Sequence, residues 1–382
     1  MSELFGADIG VLAGETSGDI LGAAVLSELL KRDSSLRFSG IGGPLMTACG
    51  LKSMVPMDRL SVFGLIEPLK RLPELLRIRR DVTLHMQATR PQLFLGIDSP
   101  DFNLTLEQNL RRSGVTTAHL VSPSVWAWRS GRVKKVQKAV DLMLCLLPFE
   151  QRFYEEHGIP SICVGHPLIE IIEALPSKAE ARRQFSVPEQ GTVVACLPGS
   201  RAGEVAHLGP VFADVLRRLL ASDDKVTVLV PAASDARLKQ IESLMPIEDI
   251  RFQVFEGDSR LAMVASDSVL CASGTTTLEA MLIGRPMVIG YRMAWLSWQI
   301  LSRMVNTPHV GLPNILCDYP VVPELLQYDA TEEHLYRALL ESLGSAGERQ
   351  REVFAEASDA IGRDFARRSC DALWDLMVEK AS

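Results

Sequence analysis

Short runs of β-branched and apolar residues alternate with longer stretches of helical periodicity over nearly the whole chain. That alternation is the signature of parallel α/β organisation, because a parallel crossover needs a helix between strands and buries its strands on both faces. Strands are expected at 9–13, 37–41, 93–97, 116–121, 141–146 and 162–164, and again at 192–197, 225–230, 251–255, 268–271 and 286–289. Helical patterns such as 208–222 and 277–283 lie between them. Between the two series, residues 174–190 are rich in Ala, Pro, Glu and Lys, as a hinge with a surface helix would be. The pattern therefore predicts two doubly wound domains, 1–170 and 171–348, with ligands held between the halves at strand carboxyl ends. A length of 382 residues suits two cores better than one. The tail, 349–382, carries an apolar helical stripe at Val353, Ala357, Ile361, Phe365 and Trp374, and packing back on the first domain is open to it.

Composition removes several classes of function. With 47% hydrophobic and 23% charged residues, neither disorder nor a coiled coil is supported. The seven cysteines are scattered, mostly in apolar runs and without CxxC spacing, so they read as buried thiols of a reducing compartment, with no metal site expected. No basic segment followed by an apolar run opens the chain, and no stretch nears the ~20 apolar residues of a spanning helix. A cytoplasmic protein is the expectation. A formal net charge of −7 argues against a general grip on nucleic acid.

Several motifs fall at strand ends, where a doubly wound sheet presents its chemistry. The first strand runs into the Gly-bracketed loop 14–19 and then a helix, a combination that suits an anion but equally a simple turn capped by Ser17 or Asp19. The apolar run 93–97 delivers Asp98, where a partly desolvated carboxylate can take a proton from a hydroxyl; capping of the next turn is the alternative, and Asp101 competes for the role. Trp126 and Trp128 beside basic residues suit sugar stacking or a core. After the strand 192–197, Ser200 and Arg201 offer backbone NH groups and a guanidinium to a diphosphate. In 271–280, Ser273, Gly274 and Thr275 open a helix after a buried strand, and Glu279 is set to reach diol hydroxyls such as a ribose, or to serve as a first-turn acid. Residues 54–80 mix Val62, Phe63, Leu65, Ile66, Leu69 and Leu72 with Lys70, Arg71, Arg77, Arg79 and Arg80, as an interfacial segment does, though an ordinary packed helix has the same pattern. The histidines outside these clusters, His119 among them, lack metal spacing and read as core or surface residues.

Taken together, AGETSGD, GIDSPDFN, VSPSVWAWR, LPFE, GHP, LPGSRAGEV, SGTTTLEAM, GYRM and LPN resemble, in order and spacing, the lipid-A-disaccharide synthase family from about residue 8 to about residue 327. The resemblance implies a GT-B fold and an inverting glycosyltransferase that joins UDP-2,3-diacylglucosamine to 2,3-diacylglucosamine 1-phosphate (lipid X), giving a β-1,6-linked disaccharide 1-phosphate and UDP. It implies no metal and no organic cofactor. It gives Asp98 the role of general base, Arg201 that of diphosphate partner, and Ser273, Gly274, Thr275 and Glu279 that of nucleotide cradle. Glu15, Ser17 and Asn314 become further site candidates. Acylated substrates favour the interfacial reading of 54–80, hence a chain peripheral to the inner membrane; a homodimer is compatible with all of this. The main alternative is a UDP-sugar 2-epimerase of the same architecture. A nicotinamide-dependent dehydrogenase would need the GxGxxG loop that the sequence lacks, and a non-catalytic nucleotide-binding module would not need Asp98.

Overall fold

A computed structural model describes residues 8–60, 67–126, 130–295, 298–299 and 307–381. The chain forms two compact units, one of Met1–Pro167 with Ile361–Ser382 and one of Leu168–Ala360.

Among the described residues of the first unit, seven parallel strands are ordered β3-β2-β1-β4-β5-β6-β7. They are β1 Asp8–Ala13, β2 Arg37–Ile41, β3 Lys52–Ser53, β4 Leu93–Ile97, β5 Thr117–Leu120, β6 Leu142–Cys145 and β7 Ser161–Cys163. The chain starts at the centre, winds outward through β2 and β3, then returns across β1 to continue through β4. Strand order thus reverses between β1 and β4, which pair from Ile9 opposite Leu93 to Ala13 opposite Ile97. Helices cover both faces, so β4 is buried at every position and reads as a continuous apolar run. The helix Thr16–Arg32 is anchored through buried Asp19, whose carboxylate accepts from the backbone NH groups of Gly43 (2.9 Å), Leu45 (3.0 Å) and Met46 (3.0 Å). Asp19 therefore caps the short helix Pro44–Ala48 rather than its own.

The second unit repeats the plan with the order β10-β9-β8-β11-β12-β13. Its strands are β8 Thr192–Leu197, β9 Val226–Ala232, β10 Phe252–Glu256, β11 Ser268–Cys271, β12 Met287–Tyr291 and β13 Glu324–Leu326. Here the reversal falls between β8 and β11. The helix Ala202–Ser222 turns Val205, Leu208, Phe212, Leu216 and Leu219 onto Val194, Val228, Leu270 and Val288. Each such buried side chain contributes about 1.5–3 kcal/mol of transfer free energy.

The tail is divided. Helix Ser345–Ile361 reaches the second unit's sheet through Gln350, which accepts from Met287 N (2.8 Å) and donates to Met287 O (3.3 Å). Helix Phe365–Ala381 belongs to the first unit, where Asp371 pairs with Arg32 at 2.7 Å and Arg32 lies over the Trp374 ring at 4.8 Å. No described helix is long and apolar enough to cross a membrane.

Candidate functional site

Each sheet carries a cavity at the carboxyl ends of its strands, the edge on which doubly wound folds hold their ligands, and in the second unit that cavity sits at the reversal point. In the second unit a cavity of about 480 Å³ lies at the carboxyl ends of β8, β9 and β11 and is lined by Ser200, Arg201, Glu204, Ser273, Gly274, Thr275 and Thr276, among others. Gly199 holds a φ of +121°, which turns the chain so that the NH groups of Ser200 (3.1 Å) and Arg201 (3.2 Å) donate to Glu204 Oε2. These amides at the start of Ala202–Ser222 therefore already hold an anion, the Glu204 carboxylate. Arg201 Nη1 contacts Glu204 Oε1 at 3.0 Å, yet its side chain is 83% exposed. So exposed a pair is worth at most about 1 kcal/mol, leaving the guanidinium available to a ligand. Tyr291 stands by the same charges: burial pushes its phenol up, Glu204 adds to that, and Arg201 opposes it.

Across the cavity, Ser273 donates its hydroxyl to Val310 O at 2.7 Å. No side chain caps the helix Thr275–Leu282 that follows Gly274, so its first turn presents backbone to the cavity. The structure does not bring Glu279 or Asn314 into this lining. Glu279 is buried one turn further along and accepts from Arg260 Nε at 2.8 Å. Asn314, also buried, donates to Val322 O (2.9 Å) and Glu324 Oε1 (2.8 Å) and accepts from Val321 N (2.7 Å) and Val322 N (2.8 Å). That spends its hydrogen-bonding capacity on the backbone leading into β13 and on the carboxylate of Glu324 at its start.

In the first unit the buried run of β4 ends at Asp98, and both Asp98 (φ 51°) and Ser99 (φ 44°) adopt the left-handed region. Val121, at the end of β5, does the same with φ 78°. Such conformations cost about 1–3 kcal/mol each in non-glycine residues and persist only where the surroundings impose them. Asp98 N donates to Leu120 O (2.9 Å), and Asp98 Oδ1 accepts from Ser99 N (2.8 Å). Pro100 does not merely interrupt the chain; it opens the helix Pro100–Arg112, a first-turn position that suits its missing NH. A cavity of about 310 Å³ is lined by Asp98, Asp101, Val121, Ser122 and Arg132. Asp101 is ion-paired with Arg132.

The loop after β1 abuts this turn, since a Cβ at Gly14 would lie 2.5 Å from Ser99 Oγ. Glu15 therefore stands near Asp98; partial burial, and then the Asp98 charge, raise its carboxyl above the ordinary range. Ser17 is exposed in the first turn of the helix Thr16–Arg32. Below the Ser122–Trp126 segment, Glu150 is fully enclosed and pushed up to about 7 by burial, against the lowering effect of the Leu146 and Leu147 amides it accepts from. Trp126 meets Phe149 edge-on at 4.8 Å, while Trp128 and Arg129 lie outside the described residues.

Sequence reasoning did not single out Glu204, Ser99 or Arg132. A signal for Glu204 was available: it stands three residues after Arg201, the third helical position at which an acid reaches back to the amides of a helix start. Of the interfacial candidates, Val62, Phe63, Leu65 and Ile66 lie outside the described residues, as does the side chain of Leu69. Leu72 is on the helix Glu67–Thr89 and is 46% exposed. Among the described residues no group of three or more His, Cys, Asp or Glu is arranged to hold a metal ion.

A lipid-A-disaccharide synthetase family model matches residues 9–371. A lipid-A-disaccharide synthase of Pseudomonas fluorescens is 48% identical over 369 residues, spanning 97% of this chain and 98% of that one. Among solved structures, the UDP-GlcNAc 2-epimerase of Neisseria meningitidis bound to UDP-GlcNAc aligns with a TM-score of 0.63 at 10% identity, over 97% of this chain and 100% of that one. The calicheamicin glycosyltransferase CalG4 aligns with a TM-score of 0.63 at 12% identity, over 98% and 99%. At such low identity the structural likeness speaks for the fold alone, which is the GT-B fold. Identity of 48% to a synthase over nearly the full length, against 10% to the epimerase that shares its architecture, places this chain with the synthases.

Proposed function

The chain belongs to the lipid-A-disaccharide synthase family and is a glycosyltransferase, and from this membership and its two strand-end cavities we propose how it transfers its sugar. The donor is UDP-2,3-diacylglucosamine, the acceptor is 2,3-diacylglucosamine 1-phosphate, and the products are the β-1,6-linked disaccharide 1-phosphate and UDP. The observation that carries the donor assignment is the pair of amides at Ser200 and Arg201 already closed on a carboxylate, beside an exposed guanidinium. A diphosphate presents the same charge and acceptor chemistry. Ser273, Gly274 and Thr275 line the same cavity and complete the nucleotide cradle.

An alcohol is a weak nucleophile at neutral pH. Asp98 takes the proton from the acceptor 6-hydroxyl as its oxygen bonds to the anomeric carbon; the bond from that carbon to the diphosphate oxygen breaks, inverting the configuration. The negative charge that develops on UDP is met by the amides and Arg201. Glu15, its carboxyl raised by partial burial and by the Asp98 charge, lies beside Asp98 and contacts acceptor hydroxyls. No metal and no organic cofactor takes part. The acyl chains are handled at the surface around residues 54–80, so the protein works peripherally on a membrane.

Incubation with both lipids should release UDP and the disaccharide 1-phosphate at equal rates, undiminished by EDTA. The donor alone should give neither. Turnover of the UDP-sugar without acceptor would overturn the assignment in favour of an epimerase, and abolition by EDTA would overturn the metal-free chemistry.

A further inference from the structure

Beneath the Asp98 turn lies a polar cluster for which the chemistry above has no use. Glu107, on the helix Pro100–Arg112, and His119, on β5, are both wholly buried, with Glu107 Oε1 2.7 Å from His119 Nδ1. Glu107 fits only because Gly96 of β4, the register partner of His119, has no side chain: a Cβ there would lie 1.9 Å from Oε1. One helical turn earlier stands buried Asn103, whose Cβ borders the same notch at 3.2 Å. Its Nδ2 donates to the carbonyls of Asp98 (2.8 Å), Ile97 (3.3 Å) and Leu12 (3.4 Å). One amide thus ties the end of β1, the end of β4 and the left-handed residue itself.

This cluster is a poor stabiliser. Asn103 Oδ1, Glu107 Oε2 and His119 Nε2 are buried with no hydrogen-bond partner among the described residues, and unpaired buried polar atoms weaken a fold that apolar side chains of the same volume would strengthen. What the cluster supplies is direction. His119 holds Glu107, Glu107 seats the helix in the Gly96 notch, and Asn103 on that helix fixes the carbonyl of Asp98 in a left-handed turn that aspartate tolerates but that continues through Ser99, where the surroundings must impose it. We propose that Asn103, Glu107 and His119 are positioning residues that aim the Asp98 carboxylate through the backbone of the Asp98–Ser99 turn. This rests on the reading of Asp98 as the base.

Glu107→Leu should lower kcat by about 10- to 100-fold, as a misplacement near 1 Å does, while KM for both substrates stays close to the parent and the melting temperature falls, because His119 loses its buried partner. Glu107→Gln keeps the shape and a hydrogen bond to His119 and should retain kcat within about threefold. In an Asp98→Asn background, Glu107→Leu should cause no further loss, because the group it aims is already disabled. A folded Glu107→Leu with kcat within about twofold of the parent, or a loss that persists undiminished in the Asp98→Asn background, overturns the proposal. Should Glu107→Leu fail to fold, Asn103→Ala carries the test by the same criteria. Parental kcat in Asp98→Asn removes the base reading and the positioning with it; a crippled Asp98→Asn beside an untouched Glu107→Leu removes the positioning alone.

Discussion

Asp98 illustrates what a single residue needs in order to act. Its location was legible, because a buried parallel strand reads as an apolar run and the first polar residue after it faces the crevice. Its left-handed backbone was not, since φ 51° is imposed by Asn103 and by the pairing of Asp98 N with Leu120 O, contacts that do not show in local spacing. Glu279 and Asn314 mark the same limit from the other side. Their motifs announce them, but Arg260 and the backbone of Val321 and Val322 take up their polar atoms, and only the fold reveals those partners. Asp98→Asn preserves size and hydrogen bonding while removing basicity, so kcat should fall by about 10²–10⁴, the usual contribution of a general base. Calorimetry should find UDP affinity unchanged, because Asp98 is not among the residues lining the cavity proposed to hold the nucleotide. Near-parental turnover at saturating substrate would pass the role to Glu15 or Asp101.

At the scale of elements, the central strands were predictable, as were the edges Ser161–Cys163 and Phe252–Glu256, while the other two edges were not. Leu93–Ile97, Thr192–Leu197 and Ser268–Cys271 stand where the buried runs put them. The edge strands Lys52–Ser53, fully exposed, and Glu324–Leu326, half-buried, carry no such run and escaped notice. Helix Glu67–Thr89 poses a different problem, because the same mixture of apolar and basic residues suits a packed helix or an interfacial one. Its described part exposes Leu72 and Leu76 at 46% and 47%, four residues apart and hence neighbours on one face, and Leu84 at 56% further along. Arg77 and Arg80 are exposed on the same helix. Surface leucines contribute little to stability, so Leu72→Ser with Leu76→Ser should leave the melting temperature within a degree or two. Cosedimentation with anionic vesicles should nevertheless drop several-fold, since interfacial binding follows apolar area and basic charge together. Binding equal to the parent would place the membrane contact elsewhere.

For the whole molecule, buried Glu150 and partly buried His166 of the first unit set opposing dependences of stability on pH. Glu150 is raised from an ordinary value of 4.5 to about 7 by burial, so the folded state keeps its proton after the unfolded chain has lost it. Its contribution is favourable at low pH, declines as pH rises from about 4.5 to about 7, and is level above that. His166 is lowered from 6.5 to about 4, again by burial, so the folded state resists a proton that the unfolded chain accepts. Its contribution is level above pH 6.5 and is lost as pH falls toward 4. Each effect reaches on the order of 3 kcal/mol at most, and between pH 4.5 and 6.5 the two slopes offset one another, leaving the parent's stability nearly flat with respect to this pair. Removing one group exposes the other. Glu150→Gln keeps acceptors for the Leu146 and Leu147 amides but cannot ionise, so relative to the parent its melting temperature should climb from pH 4.5 to 7. His166→Gln should show the reverse, its difference from the parent falling as pH rises from 4 to 6.5. Melting curves at pH 4.5, 5.5, 6.5 and 7.5 decide the matter: variant profiles that run parallel to the parent's would mean that neither group titrates differently in the folded chain.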